Sequence, residues 1–281
     1  KNLEIAVSEE IDGIITISDY PVNTIAYVCE RLDLPGLSSL AAERSTNKYL
    51  QRKLLKEKGL NAPDFKKFKE FSEVGEAIKN WNYPLIVKPL DSSASRGVSV
   101  IRNFSQCKGA FVEARAFSKT NRVMIEEFIE GKEFSIESLT QNGKTNVVAI
   151  TEKFIMEDSK YFVEERHIIP AALEQSQEEE ISAYVLDIIK AFGIDNSATH
   201  TEVKMTNSGP VLIELGARVG GDFITSDLVP LATGVDMLEN SVNIALGKPI
   251  QVKRSISKYA GVQFLHKGNY RRAITFAEEK N

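Results

Sequence analysis

The sequence predicts an α+β fold that follows the end of a parallel α/β unit, on the strength of one strand–helix repeat and two hairpin signals. The 281 residues suffice for about two domains. The β-branched run Ile14 to Ile17 predicts a strand covered on both faces. An apolar pattern of helical spacing follows over 22–32 and stops before Pro35-Gly36. We therefore interpret residues 1–43 as the last part of a parallel α/β domain.

The rest of the chain alternates helices with short strands and tight turns. Residues 45–58 predict an amphipathic helix that Gly59 closes. Asn142-Gly143 predicts one hairpin and Asn207-Ser208-Gly209 a second one. Because antiparallel hairpins and helices are interleaved, the class is α+β. The predicted strands are 85–87, 98–101, 123–125, 134–139, 147–150, 201–205 and 211–215, and the further helices are about 105–118, 178–192 and 236–246.

Composition restricts the classes of function. The 39 acidic and 35 basic side chains leave a formal net charge of −4, which does not favour a nucleic-acid partner. No run approaches the roughly 18 apolar residues of a membrane span, and no charged-then-apolar leader opens the sequence. Cys29 and Cys107 lack the spacing of metal or redox motifs, which favours a reducing compartment. We expect a cytoplasmic protein with neither nucleic-acid nor membrane partners.

The first candidate site joins a strand-terminal lysine to a loop of small polar residues. Lys88 follows Leu85-Ile86-Val87, and a charged head at the end of a buried strand is costly unless an anion meets it. The loop after it contains Ser92 and Ser95 and ends at Gly97, so its N–H groups and hydroxyls could bind phosphate oxygens. The alternative is a lysine that faces solvent. The spacing is neither that of a P-loop nor that of a dinucleotide fingerprint.

The second candidate, residues 125–133, interleaves apolar residues with carboxylates. One interpretation is a strand that runs into a turn with a solvated acidic edge. The other is a hinge strand along a nucleotide, in which the backbone and Glu126 hydrogen-bond an adenine edge while Glu133 binds ribose hydroxyls. Both interpretations stay open at this point.

The third candidate is a pair of carboxylates on a predicted hairpin. Glu202 and Glu214 would project from adjacent antiparallel strands to one face. Like charges this close repel each other, and a divalent cation removes that penalty; oxygen ligands without thiolates suit Mg²⁺. Arg218, just before Gly220-Gly221, could stabilise an anion nearby. Two exposed surface glutamates are the alternative.

These three motifs, in this order, resemble the ATP-grasp superfamily over about residues 40–250. The resemblance implies an ATP-grasp fold, in which two α+β subdomains grip ATP. The small subdomain would be 44–122 and the large one 123–250. Residues 1–43 would be the end of a Rossmann-like pre-ATP-grasp domain, and residues 251–281 the start of a C-terminal lid region.

The resemblance also implies roles for individual residues. Glu202 and Glu214 match Mg²⁺ ligands, with Mn²⁺ as a substitute ion. Many members carry Asn two positions after the second metal ligand, where this chain has Gly216, so the number of ions stays open. The residues expected to bind ATP are Lys48, Lys88, Ser92, Ser95, Gly97, Glu126, Phe128, Ile129 and Glu133.

Within the superfamily, residues 92–97, 161–170 and 216–222 look most similar to L-amino-acid ligases and related carboxylate–amine ligases. This resemblance implies that ATP converts a small carboxylate to an acyl phosphate, which an amine attacks to form an amide or peptide bond. Lys88 and Arg218 would be catalytic, and Glu164, His167, Arg218 and Gly220 would bind substrate. A homodimer is also expected. Alternatives are a carbamoyl-phosphate, biotin-carboxylase or glycinamide-ribonucleotide type of enzyme, and a non-catalytic ATP-binding module.

Overall fold

The computed structural model describes residues 1–91, 96–156 and 163–265. No helix in these ranges is both long enough and apolar enough to cross a lipid bilayer. The α-helices are α1 (Asn2–Ser8), α2 (Val22–Leu32), α3 (Ser39–Thr46), α4 (Lys48–Glu57), α5 (Val74–Ile78), α6 (Cys107–Phe117), α7 (Gln175–Phe192), α8 (Val229–Thr233) and α9 (Met237–Ala245). The strands are β1 (Phe65–Phe68), β2 (Leu85–Pro89), β3 (Ser99–Ile101), β4 (Val123–Glu127), β5 (Lys132–Gln141), β6 (Lys144–Ile155), β7 (Glu164–Ile169), β8 (Ser197–Thr206), β9 (Gly209–Gly216) and β10 (Ala260–Gln263).

The smaller sheet has the order β1-β4-β2-β3, and each neighbouring pair is antiparallel. Side chains alternate between the two faces of a strand. Leu85 and Val87 are therefore buried on one face, in a core that includes Phe111 of α6. Ile86 and Lys88 lie on the opposite face. The alternation along β2 thus places Lys88 on the face of the smaller sheet that α6 does not cover.

The larger sheet has the order β10-β7-β6-β5-β8-β9 and is antiparallel throughout. Phe134 of β5 and Val203 of β8 pack in one core with Ile181 and Ile188 of α7. The neighbours of Phe134 and Val203 along their strands consequently lie on the other face, which carries the charged residues of the site. The sheet separates an apolar core on one side from a polar surface on the other.

A β-bulge in the β8–β9 hairpin determines where one of these charged residues lies. Val203 pairs with Leu212, whereas Glu202 pairs with Glu214, so Ile213 is an extra residue in β9. Without this bulge, Glu202 would be opposite Ile213 and Glu214 would lie on the α7 side. A bulge re-aims the side chain that follows it, and here it brings two carboxylates together on one face.

The structure confirms the α+β class, and both hairpins turn where predicted, at Asn142-Gly143 and between Thr206 and Gly209. The helix predicted to begin at Ser45 is wrong at its start. The chain is extended at Asn47, with φ −117° and ψ 104°, so α3 ends there and a new helix begins. The side chain of Asn47 accepts hydrogen bonds from the N–H groups of Tyr49 and Leu50, which makes it the N-cap of α4.

The strand predicted at residues 14–17 is also wrong, because the segment has no regular secondary structure. A strand needs a hydrogen-bonded neighbour, and in the described part of the chain none runs beside it. Instead, Ile14 and Ile15 line a hollow together with Ala217 and Ile244. Residues 1–43 contain helices but no sheet among the strands described, so a parallel α/β domain at this end stays a prediction.

Candidate active site

A cleft lies between the smaller sheet and the charged face of the larger sheet. It is concave, as small-molecule sites typically are, it is partly open to solvent, and residues of both sheets line it. Lys88, Glu202 and Glu214 all line it, as the sequence interpretation requires. The predicted site residues that line the cleft are Lys48, Lys88, Glu126, Phe128, Ile129, Glu133, Glu164, Glu202 and Glu214.

On the smaller sheet, Lys88 belongs to a buried group of three charges. Its ammonium contacts Glu126, and Arg52 of α4 donates from Nε to Glu126 Oε2 at 3.0 Å. Burial lowers the pKa of Lys88 to about 8, with the positive charges of Arg52 and Lys48 acting in the same direction against Glu126. Burial raises the pKa of Glu126, but Arg52 and Lys88 outweigh it and the net shift is downward. Glu126 therefore already has two cationic partners in the cleft.

On the larger sheet, Glu202 and Glu214 face each other across β8 and β9. Each contacts a lysine, since Lys48 Nζ lies 2.5 Å from Glu214 Oε1 and Lys153 Nζ contacts Glu202. Lys153 and His200 hold the pKa of Glu202 well below its usual range despite burial. Two carboxylates on one face are suitable ligands for a hard divalent cation.

Lys153 of β6 is a site residue that the sequence interpretation missed. Its Nζ lies 2.8 Å from Glu164 Oε1 and 3.5 Å from Glu133 Oε1, besides the contact with Glu202. Its side chain is only 3% exposed. Burial lowers the pKa of Lys153, but Glu202, Glu133 and Glu164 raise it well above the usual value. Lys153 is consequently a fixed positive charge at the centre of the cleft.

The segment between β4 and β5 forms one wall of the cleft. Phe128 and Ile129 are half-buried there. Lys204, also missed from the sequence, donates to the Ile129 carbonyl at 3.2 Å, and its Nζ lies 5.0 Å from the centre of the Phe128 ring. Glu133, at the start of β5, is buried, and burial together with the charges of Glu202 and Glu164 raises its pKa. This wall combines apolar contact area with backbone groups.

At the far end of the cleft, Glu164, His167 and Asp222 each offer one ligand atom within 4.8 Å of the others. His167 Nε2 lies 2.8 Å from Glu164 Oε2. Despite burial, His167 and Lys153 lower the pKa of Glu164 to about 2. Burial and the neighbouring Glu164 raise the pKa of Asp222. The cluster could hold a cation, either a metal ion or the ammonium group of a substrate.

Arg218 lies at the edge of the site and not among the residues that line the cleft. Its guanidinium binds Asp19, with Nε–Oδ1 at 2.7 Å and Nη2–Oδ2 at 3.0 Å. Burial lowers the pKa of Arg218, but Asp19 and then the charge of Glu214 outweigh it, and the net shift is upward. The predicted catalytic Arg218 is thus close to Glu214, one of the two predicted metal ligands. Its guanidinium is held by Asp19, a residue of the N-terminal segment (residues 1–43).

Gly220 packs against a buried acid–base pair. His200 Nδ1 lies 2.5 Å from Glu137 Oε1, and Glu137 raises the pKa of His200 to about 10 against the effect of burial. A Cβ atom on Gly220 would lie 2.7 Å from His200 Nδ1, so a side chain at position 220 would displace this pair. The structure gives Gly220 a packing contact; binding of substrate at this position stays a prediction.

The phosphate loop is described only in part. Gly97 has φ +73°, which favours glycine, and a Cβ atom there would lie 2.8 Å from a ring carbon of Phe117. Ser92 and Ser95 lie outside the described residues. Their role in phosphate binding stays a prediction.

The site residues that the sequence interpretation did not identify differ in whether a local sequence pattern could have indicated them. Lys153 comes three residues after the apolar run 147–150, whereas Lys88 directly follows its apolar run, so the strand-end lysine signal is weaker at Lys153. Lys204 alternates with Glu202 along β8, so it also lies on the cleft face. Arg52 and Asp19 act through partners 74 and 199 positions away, and no local pattern marks them.

Two groups of charged residues face one cleft, one group on each antiparallel sheet. A model of the ATP-grasp domain matches residues 81–227, more than half of the chain, and the chain belongs to this family. The predicted ATP-grasp fold is thereby confirmed.

The chain is similar to particular enzymes of this family. It is 26% identical to the alanine–anticapsin ligase of Bacillus subtilis, over 88% of this chain and 56% of that enzyme. The L-amino acid ligase of Bacillus licheniformis superposes with a TM-score of 0.77 at 28% identity, over 92% of this chain and 63% of that one. A Hydrogenobacter thermophilus biotin carboxylase domain, in complex with MgADP and bicarbonate, superposes with a TM-score of 0.77 at 19% identity, over 92% of this chain and 59% of that one.

The chain spans about half the length of the curated relatives that it matches. The similarity to these ligases therefore does not identify the substrates of this chain.

Proposed function

We propose that this chain carries the ATP-dependent site of a carboxylate–amine ligase, which forms an amide or peptide bond from an amino acid or another small carboxylate. The observation that carries the proposal is the meeting of Lys88, Glu202 and Glu214 in one cleft. The lysine comes from one sheet and the two carboxylates from the other. A triphosphate with its cation is the type of ligand that satisfies both groups.

In this proposal, ATP lies along the cleft with its phosphates toward Lys48 and Lys88. The adenine rests on Phe128 and Ile129, and the backbone between β4 and β5 binds its edge. Glu133, beside Lys204, binds the ribose hydroxyls. Glu126 lines the adenine end, but its contacts with Lys88 and Arg52 give it a second task, which is to keep Lys88 in place.

Glu202 and Glu214 would hold Mg²⁺, with Mn²⁺ as a substitute. They fit this ion because their carboxylates are hard oxygen ligands that face each other on adjacent strands. Their negative charges, which Lys48 and Lys153 compensate in this structure, would also attract the cation. Bound there, Mg²⁺ would withdraw electron density from the phosphates and neutralise charge on them. A relative of the same fold was solved with MgADP.

The chemistry follows from the cations of the cleft. The substrate carboxylate attacks the γ-phosphorus of ATP, the bond to the β-phosphate oxygen breaks, and an acyl phosphate and ADP result. An amine then attacks the acyl carbon and expels inorganic phosphate, with loss of one proton from nitrogen. Lys88 and Lys153 offset charge on the transferring phosphoryl group, and Arg218 stabilises the oxyanion of the tetrahedral intermediate.

The carboxylate substrate would bind at the end of the cleft near Glu164, His167 and Gly220. Glu164 is ionised at neutral pH because its pKa is about 2, so it suits the ammonium group of an amino acid. Relatives named as alanine–anticapsin ligase and L-arginine-specific L-amino acid ligase support amino acids as the class to test. A cytoplasmic location and a homodimer remain predictions.

The test is a matrix of amino acids and small carboxylates, taken in pairs with ATP and Mg²⁺, with ADP release as the readout. We expect ADP release to need both an acid and an amine. Lys88→Ala and Glu214→Ala should each abolish it. Lys144→Ala, at an exposed position that begins β6, is the matched control and should retain full activity.

Undiminished turnover in both purified cleft variants would refute the proposed mechanism. ADP release that depends on bicarbonate and needs no amine would instead assign a carboxylating activity. ATP binding without turnover over the whole matrix would indicate a non-catalytic module.

A further inference from the structure

Asp19 connects the N-terminal segment, residues 1–43, to the predicted catalytic arginine. Asp19 lies in the loop before α2, outside residues 81–227 that match the family model. Both of its carboxylate oxygens bind the guanidinium of Arg218, at 2.7 and 3.0 Å. The side chains of Arg218 and Asp19 are 19% and 31% exposed. A two-point contact of this kind fixes the plane of a guanidinium as well as its position.

The hydrogen bonds of Arg218 leave one edge of the guanidinium available. An arginine has five N–H bonds in a planar fork. Nε and Nη2 each donate one to Asp19, and Nη1 donates one to the Val219 carbonyl at 2.8 Å. Within the described residues, one N–H on Nη1 and one on Nη2 have no acceptor. The Nη1–Nη2 edge of a planar guanidinium binds an anion with two hydrogen bonds, one from each nitrogen.

Gly216, two residues after the predicted metal ligand Glu214, leaves room for the contact between Asp19 and Arg218. A Cβ atom on Gly216 would lie 3.0 Å from Asp19 Oδ1 and 3.5 Å from Arg218 Cγ. A side chain at position 216 would therefore crowd the pair. Gly216 comes two residues after Glu214, whose charge acts on Arg218.

We infer that Asp19 is a positioning residue, which orients Arg218 so that the tip of its guanidinium meets the anionic oxygen that develops on the substrate carboxylate during bond formation. This inference rests on the proposed function, because it takes that reaction as the use of Arg218. It adds that the site is complete only with a residue of the N-terminal segment.

The test compares Asp19→Asn with wild-type protein on the acid and amine that give the most ADP in the matrix. We expect kcat to fall about 100-fold, as misplacement of a group by about 1 Å does, while the KM for ATP stays unchanged. Asp19→Glu, which keeps the charge, should restore part of the rate. In the double variant with Arg218→Gln, Asp19→Asn should cause no further loss.

A second measurement needs no turnover. Nitrogen-15 NMR of the arginine Nε–H groups should show slow rotation of the Arg218 guanidinium in wild type and faster rotation in Asp19→Asn. Asp12→Asn, an exposed position in the same segment, is the control for both readouts and should match wild type.

The outcomes separate this inference from the proposed function. An active wild type whose kcat and Arg218 signal do not change in Asp19→Asn would overturn the positioning role alone. A wild type without acid-dependent ADP release would overturn the proposed function, and the NMR comparison would then decide whether Asp19 orients Arg218. A fall in kcat that is equally large in the Arg218→Gln background would also contradict the inference.

Discussion

Lys153 is almost fully buried, yet it contacts three carboxylates from three strands. Its loss would leave Glu133, Glu164 and Glu202 close together without their shared cation. Removing one partner from a buried charge group costs about 3–5 kcal/mol. We predict that Lys153→Met lowers the free energy of unfolding by this amount, measured by urea denaturation at pH 7.

Lys132→Met is the matched control for Lys153. Lys132 is on the neighbouring strand and pairs with Glu152, but its side chain is 71% exposed, so its loss should cost less than about 1 kcal/mol. Equal losses in the two variants would show that the buried cluster does not depend on Lys153.

In the proposed site, the protonation of Lys88 would make nucleotide binding depend on pH. Its pKa of about 8 in the folded protein lies below the ordinary 10.5, chiefly because of burial. Below pH 8 the side chain is charged and can bind phosphate, and above pH 8 it loses its proton. We predict that the Kd for MgADP is constant from about pH 6.5 to 7.5 and rises up to about tenfold per unit above 8, as linkage to one proton requires. Calorimetry over this range measures it.

Lys88→Ala should bind MgADP more weakly, with a Kd that no longer changes between pH 7.5 and 9. A variant that keeps the wild-type pH profile would assign the titration to another group. The sequence indicated Lys88 because a lysine ends an apolar strand. It could not indicate the low pKa, which depends chiefly on burial in the folded protein and then on Arg52 and Lys48 from a helix that is distant in sequence.

At the scale of elements, the N-cap of α4 determines where the helix begins and so where Lys48 lies in the cleft. Asn47 caps the helix and Lys48 is its first residue, so the cap also positions the lysine that contacts Glu214. We predict that Asn47→Ala costs about 1 kcal/mol of stability and weakens MgADP binding, measured by denaturation and calorimetry. Asn47→Ser should retain both, because serine is also a good N-cap. A loss of stability with unchanged affinity would separate the cap from the site.

Hairpins were the elements that the sequence predicted best, because Asn-Gly and Asn-Ser-Gly mark the turn and alternation marks the faces. Glu202 and Glu214 were correctly placed on one face. The bulge at Ile213 that makes them partners was not predictable, since a bulge shows only in the register between two strands. The strand predicted at residues 14–17 failed for a related reason, because an apolar β-branched run carries no information on whether a neighbouring strand exists.

At the scale of the whole molecule, nucleotide would contact both sheets and so stabilise their arrangement. A ligand that binds only the folded state adds about 2.7 kcal/mol at a hundredfold excess over its Kd, and each kcal/mol raises Tm by about 2–4 °C in a domain of roughly this size. We predict that MgADP raises Tm accordingly in a thermal unfolding experiment. EDTA, Lys88→Ala and Glu214→Ala should each reduce the shift. An equal shift in all cases would place the nucleotide elsewhere.

The order of the motifs predicted the ATP-grasp fold through its resemblance to that superfamily, whereas strand and hairpin signals alone predicted only the α+β class. The contacts between distant parts were not predictable. Asp19 meets Arg218, and Arg52 meets Glu126, only after the N-terminal segment and α4 have packed against the sheets. Such contacts depend on tertiary packing, which periodicity and turn signals do not encode.

The most direct test of the proposed site is a crystal structure with Mn²⁺ and a non-hydrolysable ATP analogue, using the anomalous signal of manganese. We expect an anomalous peak between the carboxylates of Glu202 and Glu214, and phosphate oxygens of the same analogue molecule in contact with Lys88. A nucleotide bound outside this cleft, or a manganese peak away from both glutamates, would contradict the proposal.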